Sequence, residues 1–342
     1  MKFIAVLLAI AVAAGGWLVR PRTLELTTAR SGDTKLQAFI DQNYEGPGHR
    51  LAVAVIGDNS MVFAGRGANE HGPFEIGSIS KTLTGFLLTD SVRRGEVKLD
   101  QQVGQLIPLG GASVATATLE ELATHTSGLP NTSHQPLVAA RSLVASWSAG
   151  NPYPYDVDQV VDQAKAAGTG GRGNPAYSNL GAALLGQALA RKAGKSYSEA
   201  LTERVLLPLQ MNETHVPATA PDGYSSGGRK EAPWVQDGYG PAGGVVSTSG
   251  DLALMLQALL RGYYGIQALA PRKEFGDGDR IGLFWLTSPL PGTDRNMVWH
   301  DGGTGGYRSF VGLDLERKRA VVVLSDVAAS VDDFGTKLLA AN

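Results

Sequence analysis

Cysteine is absent from all 342 residues, which excludes disulfides, thiolate metal sites and a cysteine nucleophile. An excess of either charge is missing too. The 30 Lys and Arg against 32 Asp and Glu leave a formal net charge of −2, without the basic footprint of a nucleic-acid binder; no nucleic-acid partner is expected. The histidines, at 49, 71, 125, 134, 215 and 300, form neither His-x-His nor His-Glu-x-x-His. Neither a metal site nor any other cofactor is therefore expected. Internal repeats and low-complexity tails are lacking as well, and the length suits one large domain or two closely packed ones.

A long uncharged run occurs in one place. Met1-Lys2 is followed by residues 3–19 without a charge, closed by Arg20-Pro21-Arg22. Residues 1–22 therefore read as a signal peptide or membrane anchor. Ala11-Val12-Ala13 resembles a small-residue cleavage site, but it would leave a very short signal, so an uncleaved anchor is favoured. Either way the body is expected to be exported: membrane-anchored through this segment, or secreted or periplasmic if it is cleaved.

Apolar patterning organises the rest. Residues 36–43 fit a short amphipathic helix, and 51–56 and 61–64 fit two strands joined by Gly57-Asp58-Asn59-Ser60. Helical periodicity then dominates at 118–124, 157–167, 179–193, 197–206 and 249–260. Strands return at 281–286, 296–300, 309–315 and 320–324, and a helix over 331–341 ends the chain. Residues 136–158, with Asn151-Pro152-Tyr153-Pro154-Tyr155, read as a long irregular loop able to rim a cleft. Early and late strands with helices between them imply one antiparallel sheet built from both chain ends, an α+β fold carrying a helical insertion. The expected division is a sheet-containing α/β domain from 30–77 and 280–342, with a mainly helical domain at 78–279.

Chemistry concentrates in Gly77-Ser78-Ile79-Ser80-Lys81, which opens an apolar helix ending near Arg93-Arg94-Gly95. Residues at i and i+3 share a helix face, so the Lys81 amine lies beside the Ser78 hydroxyl. A neighbouring amine is one way to activate a serine for acyl transfer. At a helix start, unpaired N–H groups and the helix dipole also favour developing negative charge. By itself Ser-x-x-Lys is a weak signal, since about one is expected by chance in a chain this long. Two further elements raise its weight. Tyr177-Ser178-Asn179 follows the turn Gly173-Asn174-Pro175 and precedes a helix, and His300-Asp301-Gly302-Gly303-Thr304-Gly305-Gly306 follows a strand.

Other matches carry less. His125 stands in a Thr/Ser/Gly turn, where a structural hydrogen bond is the better reading. Gly223-Tyr224-Ser225-Ser226-Gly227 matches a nucleophile elbow by letter but lacks a strand before it and a helix after it. The glycine-rich segment 168–173 follows a helix instead of a strand and reads as a connector.

In order, spacing and flanks, these three elements resemble those of the penicillin-recognising serine hydrolases, the class C β-lactamases and their DD-peptidase and esterase relatives. The resemblance extends to Leu122-Ala123-Thr124-His125-Thr126-Ser127-Gly128-Leu129-Pro130, Leu206-Leu207-Pro208-Leu209-Gln210-Met211 and Pro241-Ala242-Gly243-Gly244-Val245-Val246-Ser247-Thr248-Ser249-Gly250-Asp251-Leu252. It implies the β-lactamase/transpeptidase-like fold and a serine hydrolase acting on β-lactams or D-Ala-D-Ala-type amides. An esterase using the same residues and a non-turnover penicillin-binding sensor are the alternatives. The substrate implied is a small molecule or a peptidoglycan-like chain.

The resemblance further implies Ser78 as nucleophile, Lys81 as its proton acceptor and Tyr177 as the acid/base partner. A phenol titrates near pH 10, so that last role is expected to draw on the Lys81 cation. Asn179 would hold a substrate amide, His300, Gly302 and Gly303 would line the substrate strand, and the Ser78 and Gly303 N–H groups would bind the oxyanion. Two departures are visible. His300-Asp301-Gly302 replaces the Lys-Thr-Gly of typical β-lactamases, which implies slow penicillin turnover. Gly243-Gly244 replaces a Tyr-Gly pair, which is expected to remove an aromatic wall and widen the site.

Overall fold

In the computed structural model, residues 24–235, 237–276 and 278–341 are described. The expected signal or anchor segment, residues 1–22, lies outside them. Among the described residues no helix is long and apolar enough to cross a membrane.

The chain enters through β1 (Arg30–Gly32), a helix at Thr34–Asn43 capped by Asp33, and the hairpin β2 (Leu51–Gly57) and β3 (Met61–Arg66). Short strand β4 (Phe74–Glu75) leads to a 3₁₀ turn at Gly77–Ile79 and the helix Ser80–Arg93. A helical stretch follows, including Leu119–Ala123, Pro136–Ser148, Val157–Ala166 and Asn179–Ala193. Then come β5 (Gly223–Ser225), β6 (Lys230–Glu231), a helical turn at Gly240–Gly243, β7 (Val246–Ser247) and the helix Ser249–Leu260. The last part supplies β8 (Lys273–Gly276), β9 (Asp279–Ile281), β10 (Leu286–Pro289), β11 (Asn296–Gly303), β12 (Arg308–Asp314), β13 (Arg319–Ser325) and β14 (Val327–Ala328), then the helix Asp332–Ala340.

Nine strands form an antiparallel sheet in the order β1-β3-β2-β13-β12-β11-β10-β9-β8. Its centre joins the two chain ends directly, with Val321 opposite Val55 and Val323 opposite Val53. Side chains alternate faces along a strand, and both faces here are covered. Ala52, Ala54, Ile56, Ala320, Val322 and Leu324 face the large core shared with the inserted helices. Leu51, Val53, Val321 and Val323 face a smaller core under Leu36, Ile40, Phe334 and Leu338 of the first and last helices. Burial on both sides explains why β2 and β13 read as continuous apolar runs instead of alternating ones.

Two expectations about local structure fail. The first half of the supposed loop 136–158 is a helix, Pro136–Ser148, with proline in its first turn, where the missing N–H costs nothing. Its pattern misleads because Leu137, Leu143, Val144 and Trp147 point to solvent, while only Val138 and Ala145 of this helix are buried. The strand expected over 281–286 is interrupted after Ile281 and resumes at Leu286. Between them Phe284 takes φ +67°, and Leu283, Phe284 and Trp285 plunge into the core. The backbone of this excursion is satisfied by carbonyls of other segments, Leu283 N–H donating to Ala268 O and Phe284 N–H to Ala123 O. These long-range bonds are invisible to periodicity.

The smaller core depends on close approach at glycine. A Cβ on Gly335 would fall 2.3 Å from Phe310 Cδ1, and one on Gly312 would fall 2.9 Å from Phe310 Cε1. The fully buried ring is therefore clasped by the bare backbone of the last helix and of its own strand. Phe310→Ala is expected to cost roughly 3–5 kcal/mol, measured as a shift in the urea unfolding midpoint at unchanged slope.

Candidate active site

The loop between β4 and the helix Ser80–Arg93 places Ser78 in the 3₁₀ turn just before the α-helix proper. Gly77 makes the turn possible. Its φ is +49°, and an added Cβ would lie 2.5 Å from Gly303 N, so a side chain there would drive the serine turn away from β11. Gly302 is equally constrained, with Ile76 O 2.1 Å from its Cβ position. Ser309 Oγ donates to Ile76 O at 2.8 Å and seals the seam from the neighbouring strand. Gly302 and Gly303 therefore lie against the serine turn.

Lys81 lies one turn on and is fully buried. Its Nζ is 2.9 Å from Ser78 Oγ and donates to Ala242 O at 2.6 Å. Loss of water pushes this amine down to about 7, with Asp301 opposing the shift. Tyr177 comes from the turn before the helix Asn179–Ala193. It keeps 37 % of its surface open at the cleft mouth, yet its hydroxyl turns inward and donates to Ser78 Oγ at 2.5 Å. There the loss of water holds the phenol above its ordinary value, although the bond to Ser78 works the other way. This corrects the expectation that the Lys81 cation depresses Tyr177. Lys81 Nζ does sit 4.8 Å from the Tyr177 ring centroid, but the amine yields its proton near neutrality and the phenol keeps its own.

Ser78 Oγ accepts from both Lys81 Nζ and Tyr177 OH, and Lys81 Nζ also donates to Ala242 O.

Asn179 opens the helix Asn179–Ala193 without capping it. Ser178 is the cap, accepting from Gly181 N–H at 2.8 Å, which leaves the Asn179 amide in the cleft, where its Nδ2 donates to Tyr153 OH at 3.3 Å. His300 lies beneath the cleft instead of in its opening. Its side chain is 3 % exposed, Nδ1–H donates to Asp301 O at 2.5 Å, and burial lowers its pKa. His125 Nδ1 accepts from Ser178 N–H at 3.1 Å, fixing the Tyr177 turn from behind.

The space over Ser78 is a cavity of about 30 Å³ lined by Ser78, Tyr153, Asn179, Trp234, Tyr239 and Gly303 among others. Gly243 lines this space, and aromatic side chains from other elements line it as well. Tyr153 packs edge-on to Trp234 at 5.3 Å between centroids and lies 4.9 Å from Tyr239.

Sequence reading missed Trp234 and the residue that holds it. Glu75 is 4 % exposed, and its Oε1 accepts from Trp234 N–H at 2.6 Å. Burial pushes this carboxyl up to about 7. Its place three residues before Ser78 was a signal, but its partner lies 159 positions away.

In the folded state Glu75 keeps its proton to a higher pH than in the unfolded chain, so folding binds protons between pH 4.5 and about 7. Its contribution to stability is therefore fully present below pH 4.5 and lost as pH rises through 7. Glu75→Gln is expected to flatten the stability profile. Relative to wild type, its unfolding free energy should gain roughly 3 kcal/mol between pH 5 and pH 8, measured by urea denaturation at each pH.

Comparison with known proteins completes the description. The family model described as Beta-lactamase matches residues 36–341. A "Beta-lactamase" of Escherichia coli (strain K12) is 29% identical over 298 residues, covering 74% of this chain and 75% of that protein. The "D-alanyl-D-alanine-carboxypeptidase/endopeptidase AmpH" of the same organism is 29% identical over 317 residues, covering 80% and 79%. Among solved structures, one titled "A class C beta-lactamase" superposes with a TM-score of 0.74 at 21% identity, over 90% of this chain and 94% of that one. A "Beta-Lactamase/D-Alanine Carboxypeptidase from Pseudomonas syringae" gives 0.74 at 19% identity, over 90% and 98%.

Proposed function

Since the chain belongs to the β-lactamase family, we propose that it is a serine hydrolase working through a Ser78 acyl-enzyme on β-lactams or D-Ala-D-Ala-type amides. The observation that carries this reading is the convergence of Lys81 Nζ and Tyr177 OH on one serine oxygen, at 2.9 and 2.5 Å. The relatives named as a β-lactamase and a D-alanyl-D-alanine carboxypeptidase/endopeptidase support the substrate class.

In the proposed reaction Ser78 Oγ attacks the substrate carbonyl carbon while its proton passes to neutral Lys81. The new oxyanion lies between the Ser78 and Gly303 N–H groups, donors of a kind commonly worth a few kcal/mol of transition-state stabilisation. The C–N bond breaks as Tyr177 gives its proton to the departing nitrogen and recovers one from Lys81. Water then attacks the ester, its proton returning through the same pair, and the product acid leaves with Ser78 restored. Asn179 holds the amide beside the scissile bond, and Gly302 lets β11 close on the serine turn. Tyr153 and Trp234 wall the acyl pocket. An esterase reading uses the same groups. The body is proposed to be exported, with residues 1–22 as signal or anchor.

Intact-protein mass after incubation with a penicillin tests the proposal. One adduct of the drug's mass is expected on wild type and none on Ser78→Ala. Parallel assays with a chromogenic cephalosporin and a p-nitrophenyl ester sort lactamase, esterase and sensor. Absence of both adduct and turnover would sink the reading.

Acylation needs Lys81 without its proton, so kcat/KM should climb tenfold per pH unit below about 7 and level off above it. A profile flat from pH 5 to 8 would remove Lys81 from the role of base.

A further inference from the structure

β10 pairs with β11 only as far as Leu286 opposite Trp299. Beyond that point His300, Asp301, Gly302 and Gly303 pair with β12 on one side and have no partner strand on the other. This open edge passes the serine turn and ends at Gly303, which lines the cavity over Ser78. The edge carries one side chain with a charge in reach of solvent, Asp301, which is 48% exposed. Its nearest basic group is the imidazole of His300, 3.9 Å from Oδ1, and that ring is buried and held towards its neutral form. Among the described residues Asp301 therefore has no permanent cation paired to it.

Among the described residues no cation forms an ion pair with Asp301, although the Arg308 guanidinium lies over Gly303, 2.8 Å from its Cβ position. Asp301 and Gly303 share a strand face, since side chains alternate. Arg308 stands opposite Gly303 on β12, but its guanidinium is turned onto the carbonyls of Thr304 and Tyr307 at 2.9 and 2.8 Å. Asp332 and Asp333 open the last helix nearby. Burial, reinforced by the Asp301 charge, pushes the Asp332 carboxyl above its usual range. The same Asp301 charge reaches inward to Lys81 and Tyr177, opposing loss of the proton from each.

We propose that Asp301 determines charge selectivity at this site: its carboxylate on the open edge of β11 repels substrates with an anionic group near the scissile bond and favours those with a cationic amine there. The inference rests on the serine-hydrolase reading and narrows it, moving the preferred substrate away from carboxylate-bearing β-lactams and towards amino-bearing amides or esters. A half-exposed carboxylate is screened but not silenced at this range. About a tenfold gain for a cation and a tenfold loss for an anion are expected at low ionic strength.

The test uses p-nitrophenyl esters of β-alanine, butyrate and succinate, which at pH 7 carry a cation, no charge and a carboxylate near the reacting carbon. Rates are normalised to spontaneous hydrolysis. Wild type should show a kcat/KM ratio of cationic to anionic ester of roughly one hundred, shrinking as salt is added. Asp301→Asn should bring the ratio within about threefold of unity, Asp301→Lys should invert it, and Asp301→Glu should retain the cation preference. A merely structural role would move Asp301→Glu together with Asp301→Asn and would leave no charge order. An unchanged ratio in Asp301→Asn, or a wild-type preference for the succinyl ester, overturns the inference while leaving the hydrolase reading intact. If wild type turns over none of the esters and forms no penicillin adduct, the hydrolase reading fails and the inference falls with it.

Discussion

The burial of one amine governs the rest of the site. Lys81 has no exposed surface, and a charged ammonium in that position would lose its hydration with only one carbonyl and one hydroxyl in return. The protein resolves the conflict by lowering the affinity for the proton. A surface lysine could sit at the same distance from Ser78 and would be useless as a base at pH 7, being fully protonated. Everything that encloses Lys81 therefore takes part in the chemistry. That includes the packed helices Ser80–Arg93 and Asn179–Ala193, the turn that presents Ala242 O, and the Tyr177 ring laid over the amine.

A second constraint is geometric. The serine turn and the end of β11 come so close that no side chain fits between them at Gly77 or Gly302. Contact between bare backbones at this seam brings the Ser78 and Gly303 amides near each other, as a two-donor oxyanion site requires. Two segments over 220 positions apart are tied by one side-chain bond, Ser309 Oγ to Ile76 O. The aromatic side of the cleft is held differently. There Glu75 fixes the Trp234 backbone, Trp234 packs on Tyr153, and Tyr153 OH accepts from Asn179. This chain of contacts runs from the residue beside the nucleophile to the residue assigned to the substrate amide.

Much of the fold was legible because its signals are local. The periodicity of residues 179–193 and 249–260 matches the helices Asn179–Ala193 and Ser249–Leu260, and the early and late strands join in one antiparallel sheet. The failures share one cause, partners remote in sequence. The helix Pro136–Ser148 was missed because its apolar residues face outward. The break after Ile281 was missed because the carbonyls that satisfy it belong to Ala268 and Ala123. The aromatic lining was missed because Tyr153 and Trp234 reach the space beside Gly243 from segments remote in sequence.

The sequence by itself determined which groups are available: a serine and lysine one helical turn apart, a Tyr-x-Asn before a helix, and a glycine-lined strand opening with His300 and Asp301. It also determined that no thiol could take part. Tertiary structure alone decided their ionisation, because the proton on Lys81, Tyr177 or Glu75 depends on how much water each has lost and which charges face it. Residue identity sets only the starting pKa, and the shifts that make a base of a lysine come from packing between segments that composition and spacing cannot bring together.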